Sequence, residues 1–475
     1  MTAALLIDFG STYTKLRAID LGQRAVVGTG QGPSTIATDI TIGMKAALAD
    51  LERRIGGLPK FKYRLASSSA AGGLRMVTIG LVRELTVEAA RQAALGAGAR
   101  LVGTFAHELT SSDVVKLLAL SPDIVLLAGG TDGGNSAVIL HNAHAIAATS
   151  LECPVIYAGN RVAADEAAAL LKGKPLLITE NVMPEFNVLN AEPARAVIRQ
   201  VFIERIVHAK GIDRAQAMFD HVLMPTPAAV MEGARLVADG CEGVSGLGEL
   251  LIVDPGGATT DVHSVAKGDP VDHGVVRRGL PEPRVKRSVE GDLGMRHNAA
   301  TIVEVAGVES IAHDSGLSVD RVTALTAGLA SNVERLPERE DEQRLDRALA
   351  IAAITIAVQR HCGTTEVVYT VNGPATIQQG KDLTAVDTVI GTGGVLVFGA
   401  DPYALLRGAV ADPGSPQSLR PRDPRLLLDR EYILYACGLL SAVEPKAALE
   451  VALKHLQTLP RSGEAASCES TASKS

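Results

Sequence analysis

The 475-residue sequence predicts an α/β protein of two subdomains around a cleft, with a further α/β block inserted between them. Three observations carry this prediction. The segments LLIDFGSTYTKL (5–16) and LLIVDPGGATTDVHSV (250–265) write one pattern twice: an apolar run, an Asp, then a turn of glycines and hydroxyls. From about Phe61 onward, strand, turn and helix patterns alternate as in a parallel doubly wound sheet. The core supply is aliphatic, since hydrophobic residues make up 47%, aromatics 3% and Trp is absent; Ala, Val, Leu and Ile layers of strand and helix suit that composition. A chain of this length exceeds one hydrophobic core. The patterns divide it into 1–60, the N-terminal part of the first subdomain; 61–245, the inserted block; 246–400, the second subdomain; 401–460, a helical segment; and 461–475, a small polar tail that predicts disorder.

The first apolar run is a strand ending at Asp8. Met44, Leu48, Leu51 and Ile55 then recur at helical spacing and predict a helix. In the inserted block VTIGLV (77–82), LVGTFA (101–106), DIVLLAGG (123–130) and PVIYAG (154–159) read as strands, with a helix near 86–97. An amphipathic stretch from Pro193 to Ala209 predicts a helix stopped at Lys210-Gly211. A new sheet opens near Leu250, residues 340–361 form a long helix, and DTVIGTGGVLVFG (387–399) is a last strand and glycine turn.

Composition and charge exclude several function classes. The net charge of −7 offers no footprint for nucleic acid or an anionic membrane, and the cluster of Arg277, Arg278, Arg284, Lys286 and Arg287 reads as a solvated basic face. The N-terminus lacks a basic region and reads as a first strand rather than a signal peptide. The longest apolar stretch, residues 348–358 between Arg347 and Arg360, is well short of the ~20 residues of a membrane span. A cytoplasmic protein is expected. Cys153, Cys241, Cys362, Cys437 and Cys468 are scattered without a CxxC pair, which predicts reduced, mostly structural thiols.

The chemistry is concentrated in three turns. In the first, Asp8 at a strand end can hold Mg²⁺ through water, Gly10, Ser11 and Thr12 offer close backbone and hydroxyl donors, and Lys15 is within reach of a phosphate. In the second, Asp254, Gly256, Gly257, Thr259 and Asp261 fall within eight residues, and two carboxylates beside a Gly-Gly turn are costly without a role. In the third, Gly391, Thr392, Gly393 and Gly394 present bare backbone on which a base or ribose can lie, although strand–helix junctions also use such glycines for close packing. A nucleotide gripped by both Asp-bearing turns is the expected ligand.

In this order the three turns resemble the phosphate-1, phosphate-2 and adenosine motifs of the actin, sugar-kinase and heat-shock-chaperone ATPase superfamily, whose fold is actin-like (ribonuclease H-like). The resemblance implies ATP and Mg²⁺ as cofactors, Asp8 and Asp254 as magnesium and water-positioning carboxylates, Ser11, Thr12 and Thr259 as phosphate contacts, Asp261 as a second phosphate-2 carboxylate, and Gly391 to Gly394 against adenosine. A closer resemblance is carried by AGGTDGGN (128–135), YAGN (157–160), ITENVMPEFNVLN (178–190), HAKG (208–211), LMPTPAAV (223–230), VEGDLGMRHNA (289–299) and GKDLTAVDTVIGTGG (380–394). These segments look like the glutamate mutase L family, which is unrelated to the DNA mismatch-repair ATPases of similar short name. The resemblance implies an ATP-dependent chaperone or reactivating factor that serves an adenosylcobalamin-dependent mutase, of glutamate mutase or aminomutase type. The alternatives from the same ATP turns are a small-molecule kinase and a non-hydrolysing nucleotide-gated scaffold.

Other segments carry less. AGGTDGGN imitates a phosphate loop, and Asp132 and Asn135 line a ligand or partner site or merely a strand–helix turn. Glu180, Glu185 and Asn187 offer a water-orienting group but read first as loop-capping residues, and Glu290, Asp292 and Arg296 offer contacts to nucleotide or a partner but are explained with less as a surface ion-pair network. Asp261-Val-His263-Ser-Val-Ala266 falls short of the Asp-x-His-x-x-Gly signature of base-off cobalamin sites, because Ala stands where Gly is needed. Cobalamin is therefore expected on the partner enzyme and not on this chain.

Overall fold

A computed structural model describes residues 2–10, 13–35, 39–68, 74–209, 219–272, 274–333, 335–371 and 373–460. Ser11, Thr12, the Lys210-Gly211 helix stop and the tail from Arg461 lie outside the described residues. The chain forms two compact units: Met1–Leu236 with Gly279–Pro283 and Leu434–Val451, and Val237–Arg278 with Arg284–Ile433 and Ala452–Ser475.

The first unit holds two sheets. Its strands in chain order are β1 (Thr2–Phe9), β2 (Tyr13–Asp20), β3 (Ala25–Pro33), β4 (Lys60–Ser68), β5 (Arg75–Gly80), β6 (Arg100–Ala106), β7 (Ile124–Leu127), β8 (Val155–Tyr157), β9 (Leu176–Ile178) and β10 (His221–Pro225). The first sheet runs β10-β4-β1-β2-β3, antiparallel across β1–β2–β3 and parallel across β1–β4–β10. Residues from both sides of position 60 thus share one sheet. β1 is buried from Ala3 to Phe9, as expected of a central strand covered on both faces. The helix Ile40–Ile55 starts on Asp39, whose carboxylate accepts from the Thr41 amide, and buries Met44, Ala47 and Leu51, with Leu48 and Ile55 packed beside them.

That helix lies directly on β3 because Gly28, Gly30 and Gly32 alternate along one face of the strand. A Cβ on Gly30 would stand 2.3 Å from the Ala47 carbonyl oxygen. Gly30→Val is therefore expected to destabilise the first unit by about 3 kcal/mol, because backbone must move to admit it; a fall in melting temperature measures this.

The second sheet of this unit is all parallel in the order β6-β5-β7-β8-β9 and takes only part of residues 61–245, since β4 and β10 belong to the first sheet. Among its strands, the central β7 (IVLL) and β8 (VIY) are short and apolar, with every residue buried. Helices such as Ser111–Leu120 and Ala137–Ala147 cross between them.

The second unit repeats the first sheet. Its strands are β11 (Gly240–Cys241), β12 (Val244–Ser245), β13 (Leu250–Pro255), β14 (Thr260–Val265), β15 (Val276–Arg278), β16 (Val285–Glu290), β17 (Thr364–Thr370), β18 (Gly373–Gln379), β19 (Thr388–Gly391), β20 (Arg425–Leu428) and β21 (Gln457–Thr458). The main sheet runs β16-β14-β13-β19-β20-β21, antiparallel across β13–β14–β16 and parallel across β13–β19–β20. Order and sense match β3-β2-β1-β4-β10 strand for strand, with β21 added at one edge. This duplicated sheet, one copy in each unit, gives the two similar subdomains that the paired turns predicted.

The apolar run at 348–358 lies in the helix Glu340–His361, which buries Leu345, Leu349, Ala353, Ile354 and Ala357 in the core of the second unit. No helix among the described residues is long and apolar enough to cross a membrane. The basic cluster departs from expectation in two of its members. Lys286 and Arg287 lie on β16, which pairs with the buried β14, so both are buried rather than solvated; the Lys286 ammonium donates to the His361 carbonyl at 2.9 Å. Arg277, Arg278 and Arg284 pair with Asp269, Glu366 and Asp239.

Candidate functional site

The two Asp-bearing turns have one geometry. Asp8 is the penultimate residue of β1 and lies opposite Lys15 on β2; Asp254 is the penultimate residue of β13 and lies opposite Asp261 on β14. In each case the glycine two residues past the Asp closes the turn, the Gly10 amide donating to the Tyr13 carbonyl at 3.0 Å and the Gly256 amide to the Thr259 carbonyl at 2.8 Å. Lys15 and Asp261 therefore occupy equivalent positions on the sheet face of their respective Asp.

In the first unit the Asp8 carboxylate is buried, with 7% exposure. Thr226, the first residue of the helix Thr226–Asp239, donates its hydroxyl to Asp8 Oδ1 at 2.6 Å, and the Ser67 hydroxyl approaches the same oxygen at 3.5 Å. Burial raises the Asp8 pKa above the ordinary carboxylate value, opposed by the Thr226 hydrogen bond and then by the Lys15 charge. Lys15 is half-buried beside it. Neither Ser67 nor Thr226 stands out in the sequence; LMPTPAAV is visible as a segment, but nothing in it reveals that β10 delivers Thr226 to Asp8.

In the second unit the turn is held from below by the segment 289–299. The Met295, Arg296 and His297 amides donate to the Gly256 and Gly257 carbonyls at 2.9–3.0 Å, and the Thr260 hydroxyl donates to the Leu293 carbonyl at 2.8 Å. Gly294 is pressed on Ala258, where a Cβ would come within 2.4 Å of backbone. Turn carbonyls tied down in this way fix the direction of the turn amides. Glu290 and Asp292 share Arg360, both at 2.8 Å, and Arg296 pairs with Asp346 at 2.5 Å, so these residues form ion pairs around the turn.

Both oxygens of Asp261 are engaged. Arg287 donates to Oδ1 through Nη2 at 2.7 Å and Nε at 3.1 Å, and the Thr259 hydroxyl donates to Oδ2 at 2.9 Å. Asp261 thereby orients Thr259 and neutralises a guanidinium that the sequence had suggested was on the surface. His263, two residues on, is buried in β14 between Ile252 and Arg287. Burial, then the Arg287 charge, lower its pKa to about 4, while Asp261 opposes the shift. Because the unfolded chain takes up this proton near pH 6.5 and the folded chain only near 4, His263 is expected to cost the protein roughly 3 kcal/mol of stability as pH falls through that window. Unfolding curves of His263→Gln across the same range should show that slope diminished.

The glycine turn after β19 meets Asp254. The Thr392 amide donates to the Val253 carbonyl at 3.0 Å, and Gly393, at φ +94°, lies so close that a Cβ would stand 2.5 Å from Asp254 Oδ1. Gly391 is buried, its bare Cα packed against Leu396 and Leu406, and Thr392 is buried beside it. Gly394 is the member with open space, and it starts the short helix Gly394–Phe398. Asp254, Gly256, Gly257, Thr259, Asp261 and Gly393 are thus gathered at one end of the second sheet, as Asp8, Gly10 and Lys15 are at the corresponding end of the first.

No group of three or more His, Cys, Asp or Glu that could hold a metal ion occurs among the described residues. Magnesium suits such a site, since it keeps several waters and takes one or two carboxylates together with phosphate oxygens. Asp254 fits that requirement, with the space beside its carboxylate kept by the missing side chain of Gly393.

AGGTDGGN is used differently. Asp132 accepts from the Arg161 amide and from the Asn181 side chain, both at 3.0 Å, while Asn160 caps the Gly133 and Val162 amides at 3.0 Å. These bonds bind the loops after β7, β8 and β9 to one another.

A family model described as "MutL protein" matches residues 4–456. A protein of Clostridium tetanomorphum described as "Protein MutL" is 44% identical over 459 residues, 96% of this chain and 99% of that one. Among solved structures, a ligand-bound xylulose kinase from Lactobacillus acidophilus aligns with a TM-score of 0.36 at 10% identity, over 99% of this chain and 96% of that one. An activator of 2-hydroxyisocaproyl-CoA dehydratase from Clostridium difficile, with bound ADPNP, aligns with a TM-score of 0.30 at 10% identity, over 96% of this chain and 99% of that one.

Proposed function

The chain belongs to the MutL protein family, of the glutamate mutase L type, and on that premise we propose that it is an ATP-binding and ATP-hydrolysing chaperone that reactivates an adenosylcobalamin-dependent mutase. The observation that carries the nucleotide half of this reading is the repeated turn: an Asp one residue from a strand end, a glycine two residues past it whose amide closes the turn, and the same place in two sheets of the same order. The family carries the other half, the mutase partner.

In this reading the backbone amides of residues 257–259 bind phosphate, Thr259 contacts it by turning its hydroxyl from Asp261, the turn at Gly10 with Ser11 and Thr12 binds phosphate likewise, and Lys15 adds positive charge. Asp254 and Asp8 are the carboxylates for Mg²⁺, which supplies charge neutralisation at the phosphates. Asp261 acts through Thr259 and Arg287. The glycine turn at 391–394 serves the nucleoside mainly through Gly394, with Gly393 reserved for Asp254. Cobalamin belongs to the mutase, and the protein works in the cytoplasm. Nucleotide can bias the conformation only by its difference in affinity between states, a few kcal/mol at most.

Isothermal titration of the purified protein with ATP, with and without Mg²⁺, tests the site. Magnesium-dependent binding that is lost in Asp8→Ala and in Asp254→Ala is the expected result. Unchanged binding in both variants would remove these turns from the nucleotide site.

A further inference from the structure

We propose that Thr226 is the positioning residue for Asp8 and passes the engagement of that carboxylate by magnesium nucleotide to the helix Thr226–Asp239. The proposal rests on the nucleotide reading of the Asp8 turn. Its geometry is independent of that reading.

Thr226 is placed by the sheet. β10 pairs with β4 through Met224 opposite Ser67 and Pro225 opposite Ser68, and β1 pairs with β4 through Asp8 opposite Ser67. The residue after Pro225 therefore emerges beside the Asp8 carboxylate. Pro227, in the first helical turn where a missing amide hydrogen costs nothing, starts the helix at once. The resulting O–H···O bond to Asp8, 2.6 Å, is in the short range of hydroxyl-to-carboxylate bonds.

The Thr226 hydroxyl has one proton and two acceptors in reach: Asp8 Oδ1 at 2.6 Å and Ser67 Oγ at 3.2 Å. An incoming magnesium–phosphate group that draws on Asp8 competes for the oxygen that Thr226 holds, and Ser67 can take the hydroxyl in exchange. That is a two-position element at the foot of a helix. The helix is packed tightly on the helix Leu434–Leu440 by reciprocal glycines, which couples its foot to its body. A Cβ on Gly233 would stand 2.2 Å from the Leu434 carbonyl oxygen, and one on Gly438 would stand 1.8 Å from that of Ala229. Further along, after Leu236, the chain passes from the first unit to the second.

The test compares wild-type protein, Thr226→Val, Thr226→Ser and Asp8→Ala by ATP titration in Mg²⁺ and by amide hydrogen exchange over residues 226–239 with and without nucleotide. Thr226→Val is expected to bind MgATP about tenfold more weakly and to lose the nucleotide-dependent change in exchange. Thr226→Ser, which keeps the hydroxyl and carries the test should the valine variant fail to fold, is expected to retain both. Wild-type-like binding and exchange in Thr226→Val, alongside loss of binding in Asp8→Ala, would overturn the positioning role and leave the nucleotide site standing. Loss of both readouts in Thr226→Ser would likewise overturn it. Wild-type protein that binds no MgATP would overturn the nucleotide reading and this proposal together.

Discussion

Asp254→Ala is expected to weaken MgATP binding by roughly a hundredfold or more while the melting temperature of the nucleotide-free protein stays within a few degrees of wild type. The asymmetry follows from where Asp254 sits. It is half-buried at the end of β13, flanked by a turn whose carbonyls are already bonded to residues 295–297, so the turn keeps its shape without the carboxylate. In the proposed function, what is lost is a negative charge for magnesium beside a turn whose amides receive phosphate. Titration calorimetry gives the affinity, and a parallel melting curve separates a binding defect from unfolding. An unfolded Asp254→Ala protein would mean that the carboxylate is structural.

Gly393→Ala is expected to do comparable damage with a single methyl group. At φ +94° and ψ 155°, a conformation almost confined to glycine, an L residue is strained by about 1–3 kcal/mol, and the new Cβ would stand 2.5 Å from Asp254 Oδ1 and 3.0 Å from the Pro255 carbonyl oxygen. The carboxylate must turn away or the strand end must shift. Nucleotide affinity should fall at least tenfold, and the melting temperature should fall as well, unlike in Asp254→Ala. Gly394→Ala, three atoms along the backbone and facing open space, is the matched control for stability. Its binding effect reports directly on whether nucleoside lies there.

The sequence made the two Asp turns legible because each is local: strand, carboxylate, glycine and hydroxyl fall within a dozen residues, and writing the pattern twice told against chance. The sheets could be foreseen for the same reason, since β1 and β13 announce themselves as apolar runs and the inserted block alternates strand and helix. What stayed hidden depends on pairing between distant segments. Thr226 reaches Asp8 only because β10 leaves the inserted block and joins the first sheet, a connection with no local signature. Arg287 looked like one of five surface cations because its burial comes from β16 pairing with β14; its charge answers that of Asp261 and not of solvent. Gly391 to Gly394 read as a run of bare backbone for a ligand, whereas two of those positions are spoken for by Leu396, Leu406 and Asp254. AGGTDGGN had the composition of a phosphate loop, yet Asn160 and Asn181, far along the chain, complete its hydrogen bonds.

The proposed function stands on the family and the duplicated sheet, and its central claim is that nucleotide turnover serves the mutase. The measurement is the steady-state rate of ATP hydrolysis in Mg²⁺ by the purified protein, alone and with an adenosylcobalamin-dependent mutase inactivated by its own damaged cofactor. The account predicts a low rate alone, stimulation by the inactivated mutase, recovery of mutase activity in the presence of ATP and free cofactor, and loss of all three in Asp254→Ala. Hydrolysis indifferent to the mutase, with phosphate passing instead to a small metabolite, would contradict it.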